Sequence, residues 1–497
     1  MMSREQNDRI SRVGPGDPAG RLLRRYWQPV ALLDEFDEAR VGPRPVKAVR
    51  VLGQDFVLFR DEQGRWGLLD RDCPHRGADL AYGRREDGGL RCPFHGWLFD
   101  VEGRCLETPA EPEGSRLCDR VRQRAWPVQV RAGAIWAWLG DGEPAAFPEL
   151  DCFVAPDTHV FAFKGLWECN WLQSVEVGID PAHASFLHRF FEDEQPGEQS
   201  YGRQFRSASS DSDLPMTKVM REHFRPEIYV EPAPHGLQLT ALRRISDNAT
   251  HVRITNQVFP QAFAIPLSDE MTITQFHVPV DDVNNYWYAF FTSFGAPIDK
   301  ALMREQRLKM HELREYRPRV GRGNQYGFDP REQLEQTYTG MGTDINVHDQ
   351  WACESQGPIQ DRTREHLGTT DKLHYACRLV RRIRRAGQNV VVFGDPLTIA
   401  EFDRLLWTFS QLDFIPHVFA GDALAGRTPV ILCSEAADTP HAQNLVNLSH
   451  DTPPFFSRFE RLFEVVAADE RDRAQARERW RFYRDRGYPL ASHQASA

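Results

Sequence analysis

The chain has 497 residues, 41% of them apolar and 27% charged, with a net charge of −10. That length exceeds one ordinary core and predicts two to four domains. The acidic balance argues against a general nucleic-acid or membrane binder, and no apolar run reaches the length of a membrane span. The opening MMSREQNDRI has no apolar stretch, so no secretory signal is expected. Seven of the nine cysteines (Cys105, Cys118, Cys152, Cys169, Cys353, Cys377 and Cys433) show no paired spacing. They read as reduced thiols in a cytoplasm.

In chain order, PAGRLLRRYW (18–27) predicts a short amphipathic helix. Strands follow at Val46–Val51, Phe56–Arg60 and Trp66–Leu69, with turns at Gly53 and at Asp61–Gly64. Ala125–Val130 and Ala134–Leu139 read as a hairpin, and the Pro/Gly-rich stretch 140–150 as a linker.

Between these strands lies CPHRGADLAYGRREDGGLRCPFHGW (73–97), which carries Cys-x-His and then Cys-x-x-His. Cys73, Cys92, His75 and His95 form the ligand set of a Rieske [2Fe-2S] centre, whose imidazoles raise its potential above that of an all-cysteine ferredoxin. A structural zinc site uses the same residue types. Each half here mixes one Cys with one His, whereas zinc fingers pair like with like. Pro74 and Pro93 stiffen both loops.

From about residue 160 the pattern changes. Leu172–Phe190 reads as a helix, and 191–225 as a mobile lid or loop. Strand-like runs follow at Ile228–Val230, Leu237–Ile245, Thr250–Phe259, Met271–His277 and Tyr286–Phe294, suggesting an antiparallel sheet with helices on one face. Further helices are expected at Lys300–Glu315 and Val347–Leu367. Asp180, His183 and His188 form Asp-x2-His-x4-His. Two imidazoles and a later carboxylate make a facial triad that leaves positions open on iron. On a regular helix the two histidines sit about 140° apart, so the helix should end, bend or bulge near Ala184–Leu187 for them to converge. Two ordinary histidines are the alternative.

RLLRRYWQPV, CPHRGADLAYGR, CPFHGWLFD, ECNWLQ, GIDPAHASFLH and ESQGPIQDRTREHLG together resemble the oxygenase component of Rieske non-haem iron aromatic-ring hydroxylases. Within that family the motifs resemble the group around phthalate 4,5-dioxygenase. The resemblance covers about residues 15–370. It implies a cluster on Cys73, His75, Cys92 and His95, and mononuclear Fe(II) on His183 and His188. Asp349 is the third ligand by the family's pattern, with Asp344 as runner-up. Asp180 matches a carboxylate linking a cluster histidine of one subunit to an iron-ligand histidine of the next. Glu176 falls where some ring dioxygenases carry Asn, and its role stays open. The resemblance further implies O2 as co-substrate, electrons from a separate flavin/iron-sulfur reductase, a homotrimer, and hydroxylation or O-demethylation of an aromatic substrate, an aromatic acid above all. Such an acid needs a cation in its pocket. Arg206, Arg243 and Arg244 are candidates, and strand alternation lets at most one of the last two face inward. Solvent-facing arginines are the alternative for each, and the sequence assigns no carboxylate site.

Beyond residue 370 helices and strands alternate: Leu373–Arg385, Asn389–Phe393, Thr398–Trp407, Thr428–Cys433, Gln443–Leu448, Arg461–Val466 and Asp469–Asp485. A small parallel-sheet α/β unit is expected. DKLHYACRLVRRIRRAGQNVVV, FDRLLWTFSQLDFIPHV, NLVNLS and RERWRFYRDRGYPL resemble the chi subunit of bacterial DNA polymerase III, a clamp-loader accessory that bridges to single-stranded-DNA-binding protein. That family's first strand has no counterpart, which predicts an unpaired slot in the sheet. On Asp469–Asp485, Arg477, Arg479, Arg481 and Arg484 alternate with Trp480, Phe482 and Tyr483. They read as a solvated helix with a half-buried aromatic face, or else as a site for an acidic peptide. The chain is thus read as a multidomain α+β protein and a hybrid: a Rieske domain (1–145), a catalytic domain (155–370) and a chi-like segment (371–497).

Overall fold

Proline 127 lacks an N–H to donate, and the chain changes sheets there. Ala125–Trp126 closes a four-stranded antiparallel sheet with Val46–Val51, Gln54–Arg60 and Trp66–Asp70, while Val128–Arg131 joins Ala134–Ala137 and Gln28–Leu32 in a second sheet. The expected hairpin is therefore shared between two sheets. The computed structural model describes residues 3–192, 216–267, 270–312, 315–363, 369–408, 415–435, 438–467 and 470–492. They divide into two compact units, one of residues 8–360 and one of residues 1–7 with 361–497.

In the larger unit the first helix is shorter than expected, Pro18–Leu23. The Gln28 side-chain amide donates to the Leu23 carbonyl at 2.8 Å, and the buried Arg24 guanidinium donates to the carbonyls of Val13, Gly20 and Leu52. Those bonds fix the chain where it turns into the Gln28–Leu32 strand, which had gone unread. A third small sheet, Arg84–Glu86, Gly89–Arg91, Leu98–Phe99 and Cys105–Glu107, carries the second cysteine loop.

The dominant element is a seven-stranded antiparallel sheet. Its order is Val160–Trp167, Asn285–Ser293, Met271–Pro279, Ala262–Pro266, Ala249–Val258, Gly236–Ser246 and Glu227–Ala233. Five of these strands were expected; Val160–Trp167 and Ala262–Pro266 were not. Buried along nearly its whole length, VFAFKGLW shows no alternation of apolar and polar residues to mark it as a strand. Its one charged residue, Lys164, is 1% exposed. The ammonium lies 2.6 Å from Glu35 Oε1 and 4.3 Å from the ring centre of Tyr286, and Lys47 holds the other Glu35 oxygen.

The expected helix at 172–190 is two pieces, Trp171–Gly178 and Ala184–Leu187. Phe263 packs so close to Gly178 that a Cβ there would lie 2.0 Å from its ring, so only glycine lets the helix end against this strand. Lys300–Met310 stops short of Glu315. Ile345–Glu354 ends well before Leu367, because Gly357 at φ +95° and Pro358 break the helix. The lid expected over 191–225 falls mostly outside the described residues, although Met216–Glu222 is helical.

The smaller unit holds a five-stranded, all-parallel sheet. Its order is His417–Phe419, Val430–Cys433, Val390–Phe393, Asn444–Asn447 and Arg461–Glu464. The slot expected from the missing first strand is not there. Val390–Phe393 pairs directly with Val430–Cys433 on one side and Asn444–Asn447 on the other, so its backbone is satisfied on both edges. Two apolar clusters flank this sheet, one built on Ala376, Val380, Phe402 and Leu406, the other on Ile431, Leu445 and Phe455. On Glu470–Arg484, Arg479 and Tyr483 turn inward to the two Glu464 oxygens at 2.8 and 2.7 Å, while Trp480 is exposed.

Candidate metal centres

The two cysteine loops are built alike. Each runs Cys-Pro-x-x-Gly, and the cysteine carbonyl accepts from the glycine N–H four residues on, Gly77 at 2.8 Å and Gly96 at 3.0 Å. Both glycines have positive φ, +71° and +74°, which a side chain would resist. The cysteine N–H groups close the turns onto Ala78 and Trp97, each at 2.8 Å. Arg71 grips Asp79 through two bonds of 2.9 and 2.5 Å, and Asp79 in turn caps the Leu80–Tyr82 turn. Arg91 donates to the Gly96 carbonyl at 2.7 Å and pairs with Glu86, Asp87 and Glu107.

Held this way, Cys73 and Cys92 are buried and adjacent. Burial, with Cys92 beside it, pushes the Cys73 thiol up to about 11. Such a thiol gives up its proton to a metal rather than to solvent. His75 and His95 meet with ring centres 4.3 Å apart, and His75 stacks on Trp97 at 4.4 Å and 5°. Two buried thiols and two paired imidazoles fit a binuclear cluster with one pair on each iron.

The second group lies in the seven-stranded domain. His183 and His188 flank the single turn Ala184–Leu187, and His188 leaves the helical region at φ −105°, ψ 28°. That departure overcomes the divergence expected of a continuous helix, and the two Nε2 atoms come within 3.3 Å. The helix thus ends at Leu187, where convergence of the two rings required it to end or bend. Asp349, on Ile345–Glu354, brings Oδ1 to 3.1 Å from His188 Nε2 and 3.7 Å from His183 Nε2. Among the described residues this is the one trio of His, Cys, Asp or Glu with ligand atoms all within 4.8 Å of one another.

The hydrogen bonds assign the tautomers. His183 Nδ1 meets the Asp180 carbonyl and must donate, so its Nε2 carries a lone pair. His348 Nε2 donates to the Gly342 carbonyl at 3.0 Å, leaving His348 Nδ1 to accept from His188 Nδ1–H at 3.4 Å. His188 Nε2 therefore also presents a lone pair. Asp349 Oδ1 is buried with no hydrogen-bond donor among the described residues. Burial, with the neighbouring His188, pushes His183 down and favours its neutral ring. Three acceptor atoms facing one point without a proton between them are what a cation requires.

Asp344 is elsewhere: it caps Ile345–Glu354 through the Asn346 N–H at 3.0 Å and lies 3.6 Å from Arg307. Glu176 sits half-buried on Trp171–Gly178. Asp180 is exposed, its Oδ1 accepts from the Ala182 N–H at 2.8 Å, and its main-chain carbonyl, rather than its carboxylate, touches His183. His348 was not singled out in the sequence, because one histidine without partners in its own segment carries no signal.

Arg243 is 1% exposed and Arg244 faces outward. Arg243 donates to the carbonyls of His223 and Pro181 and to Ser185 Oγ, tying it to the segment that bears both histidines. His251 lies directly across from it and Arg253 two residues further along the same face. Arg243 Nη1, His251 Nδ1 and Arg253 Nε are buried with no hydrogen-bond partner among the described residues. Burial lowers all three groups, Arg253 to about 10, with no carboxylate opposing it among the described residues. Arg206 lies outside the described residues.

The sequence profile of the Rieske [2Fe-2S] domain matches residues 26–127, and that of the LigXa-like C-terminal domain matches residues 137–399. The chain belongs to the Rieske oxygenase subunits. Over 395 residues it is 34% identical to the phthalate 4,5-dioxygenase oxygenase subunit of Pseudomonas putida, covering 75% of this chain and 83% of that protein. The 5,5'-dehydrodivanillate O-demethylase oxygenase subunit of Sphingobium sp. (strain NBRC 103272 / SYK-6) is 33% identical over 388 residues, 75% of this chain and 78% of that one. A solved structure of a Pseudomonas putida CBB5 NdmA mutant with theobromine is 18% identical, covering 72% of this chain and 90% of that one, with a TM-score of 0.49. The profile of the DNA polymerase III chi subunit matches residues 365–491, overlapping the LigXa-like match. This Rieske oxygenase is accordingly an oxidoreductase of a family that works with a [2Fe-2S] cluster, a mononuclear iron and O2. Oxygenase components of this kind take their electrons from a separate reductase or ferredoxin. No helix among the described residues is long and apolar enough to cross a membrane, and all nine cysteines are free.

Proposed function

We propose that Cys73, His75, Cys92 and His95 hold the cluster, that His183, His188 and Asp349 hold the mononuclear iron, and that the substrate is an aromatic carboxylate. The observation that carries the metal assignment is the convergence of two imidazole lone pairs and an undonated carboxylate oxygen. Bound there, ferrous iron supplies oxygen activation at its remaining coordination positions. Everything else is work for the protein. Asp180 and His348 fix the ring tautomers. Arg243, with Nη1 unpartnered beside the Pro181–Ser185 segment, supplies the charge for a substrate carboxylate, and His251 and Arg253 support it. A guanidinium in a dry site binds carboxylate in a fixed orientation, and that orientation selects which ring carbon or methoxy carbon is attacked. The outcome is hydroxylation or O-demethylation.

The test compares benzoate-type acids with their neutral amides. The acids should give product with kcat/KM about 100-fold or more above the amides, because an amide leaves Arg243 uncompensated. Equal rates for both would discard the carboxylate reading and leave the oxygenase class standing.

The exposed ring of His75 and the exposed Asp180 support a homotrimer in which the cluster of one subunit serves the iron of its neighbour. For the C-terminal unit, the profile match and its own folded sheet support a chi-like docking role toward the acidic tail of single-stranded-DNA-binding protein. Titrating that peptide into the full chain should give saturable binding that weakens with salt. No binding at low salt removes the partner.

A further inference from the structure

We propose that His348 is a positioning residue that sets which nitrogen of His188 faces the iron. The inference rests on the assignment of His188 as an iron ligand. His348 is fully buried and lies between two fixed points. On one side its Nε2–H donates to the Gly342 carbonyl at 3.0 Å, and on the other its Nδ1 accepts from His188 Nδ1–H at 3.4 Å. The rings lie nearly parallel, 22° apart, with centres at 5.6 Å. A neutral imidazole donates through only one nitrogen, so the bond to Gly342 leaves Nδ1 as an acceptor. That acceptor requires the proton of His188 to sit on Nδ1, which keeps the lone pair on Nε2, 3.3 Å from the Nε2 of His183.

The anchor at Gly342 is itself pinned. Its N–H donates to Glu332 Oε1 at 2.8 Å, and the same oxygen accepts from Thr337 Oγ1 at 2.8 Å. Gly342 has φ +75°, a conformation that turns its carbonyl toward His348 and that a residue with a side chain adopts with strain. A continuous strut thus runs from Glu332 through the Gly342 peptide and His348 to His188. The other ligand is set differently, by the main-chain carbonyl of Asp180 within its own segment. Ligating histidines depend on such partners for orientation and basicity, and losing one costs about 10–100-fold in metal affinity.

The experiment uses the full chain with its cluster loaded and its mononuclear iron removed, titrated anaerobically with ferrous iron. His348→Leu should weaken binding about 10–100-fold. His348→Asn, whose Oδ1 can replace the lost acceptor, should stay within about threefold of the wild type, well inside that loss. Cobalt(II) at the same site gives a second readout: its ligand-field spectrum should match the wild type in His348→Asn and shift in His348→Leu, with the cluster absorption unchanged in both. Leu and Asn variants that bind iron equally well, or that lose affinity in parallel with equal falls in melting temperature, would show His348 to be packing and overturn the proposal. A wild-type chain that binds no ferrous iron beyond its cluster would instead remove the ligand assignment on which this rests.

Discussion

Asp349→Ala should lose the mononuclear iron while keeping the cluster, so iron falls by one per chain and the two cluster irons remain. Asp349 Oδ1 is the sole carboxylate oxygen of the converging trio, 3.1 and 3.7 Å from the two imidazole nitrogens. Without it two neutral rings remain, which hold a hard divalent iron poorly. Turnover should drop to background, a loss of at least about 1,000-fold, consistent with about 4 kcal/mol of lost transition-state stabilisation. The visible spectrum of the cluster should not move, since Cys73, His75, Cys92 and His95 belong to other sheets and loops. Iron analysis and the spectrum together check the result. Full iron with full turnover would transfer the ligand role elsewhere.

Lys164→Met should cost about 3–5 kcal/mol of stability, the largest effect expected away from the metals. Glu35 Oε1 accepts from Lys164 at 2.6 Å and from the Leu32 N–H at 2.7 Å, and both charged side chains are almost fully buried. Burial lowers Lys164 to about 8, partly opposed by Glu35. For Glu35, burial alone would raise the carboxyl, but Lys164 and Lys47 outweigh it and hold it below its ordinary 4.5. Its folded value being the lower one, its stabilisation is full above pH 4.5 and drains away as pH falls through the folded value. Removing Lys164 strips that carboxylate of its buried partner. Denaturant unfolding of Lys164→Met and of the double variant Glu35→Gln, Lys164→Met checks this. The double variant should recover part of the loss, because the buried carboxylate left with only the partly exposed Lys47 is gone. A single-variant cost below about 1 kcal/mol would mean that the pair behaves as a surface ion pair.

How far the sequence could be read depended on how local each feature is. The proposed cluster ligands lie within one short stretch, so their spacing singled them out, whereas His183 and His188, within six residues, gained meaning only beside that motif and through the family resemblance. The third ligand is distant in sequence, and resemblance rather than spacing singled out Asp349 over Asp344. The structure separates these two physically, one at the imidazoles and one as a helix cap beside Arg307. His348 and the Glu35–Lys164 pair were illegible for the same reason: their partners are brought near only by the fold. The strand Val160–Trp167 was hidden by burial on both faces, which erases the alternation that marks a half-exposed strand. In the C-terminal unit each strand but His417–Phe419 was visible, yet strand order was not, and the slot expected from the family's missing first strand is closed by direct pairing of Val390–Phe393 with both neighbours. Arg243 was narrowed to one of two by alternation, and burial decided between them.

The central claim is that the cluster's electrons are used at His183, His188 and Asp349 to put oxygen into an aromatic acid. A single-turnover experiment tests it most directly. The chain, with its cluster reduced and its mononuclear site loaded with ferrous iron, is mixed with a methoxybenzoate or benzoate and 18O2 in the absence of reductase. Expected is product retaining 18O in the hydroxylated case, or 18O-labelled formaldehyde with an unlabelled phenol in the demethylated case, formed together with cluster oxidation and absent in Asp349→Ala. Cluster oxidation with no labelled product from any of these acids, or equal product from Asp349→Ala, would contradict it.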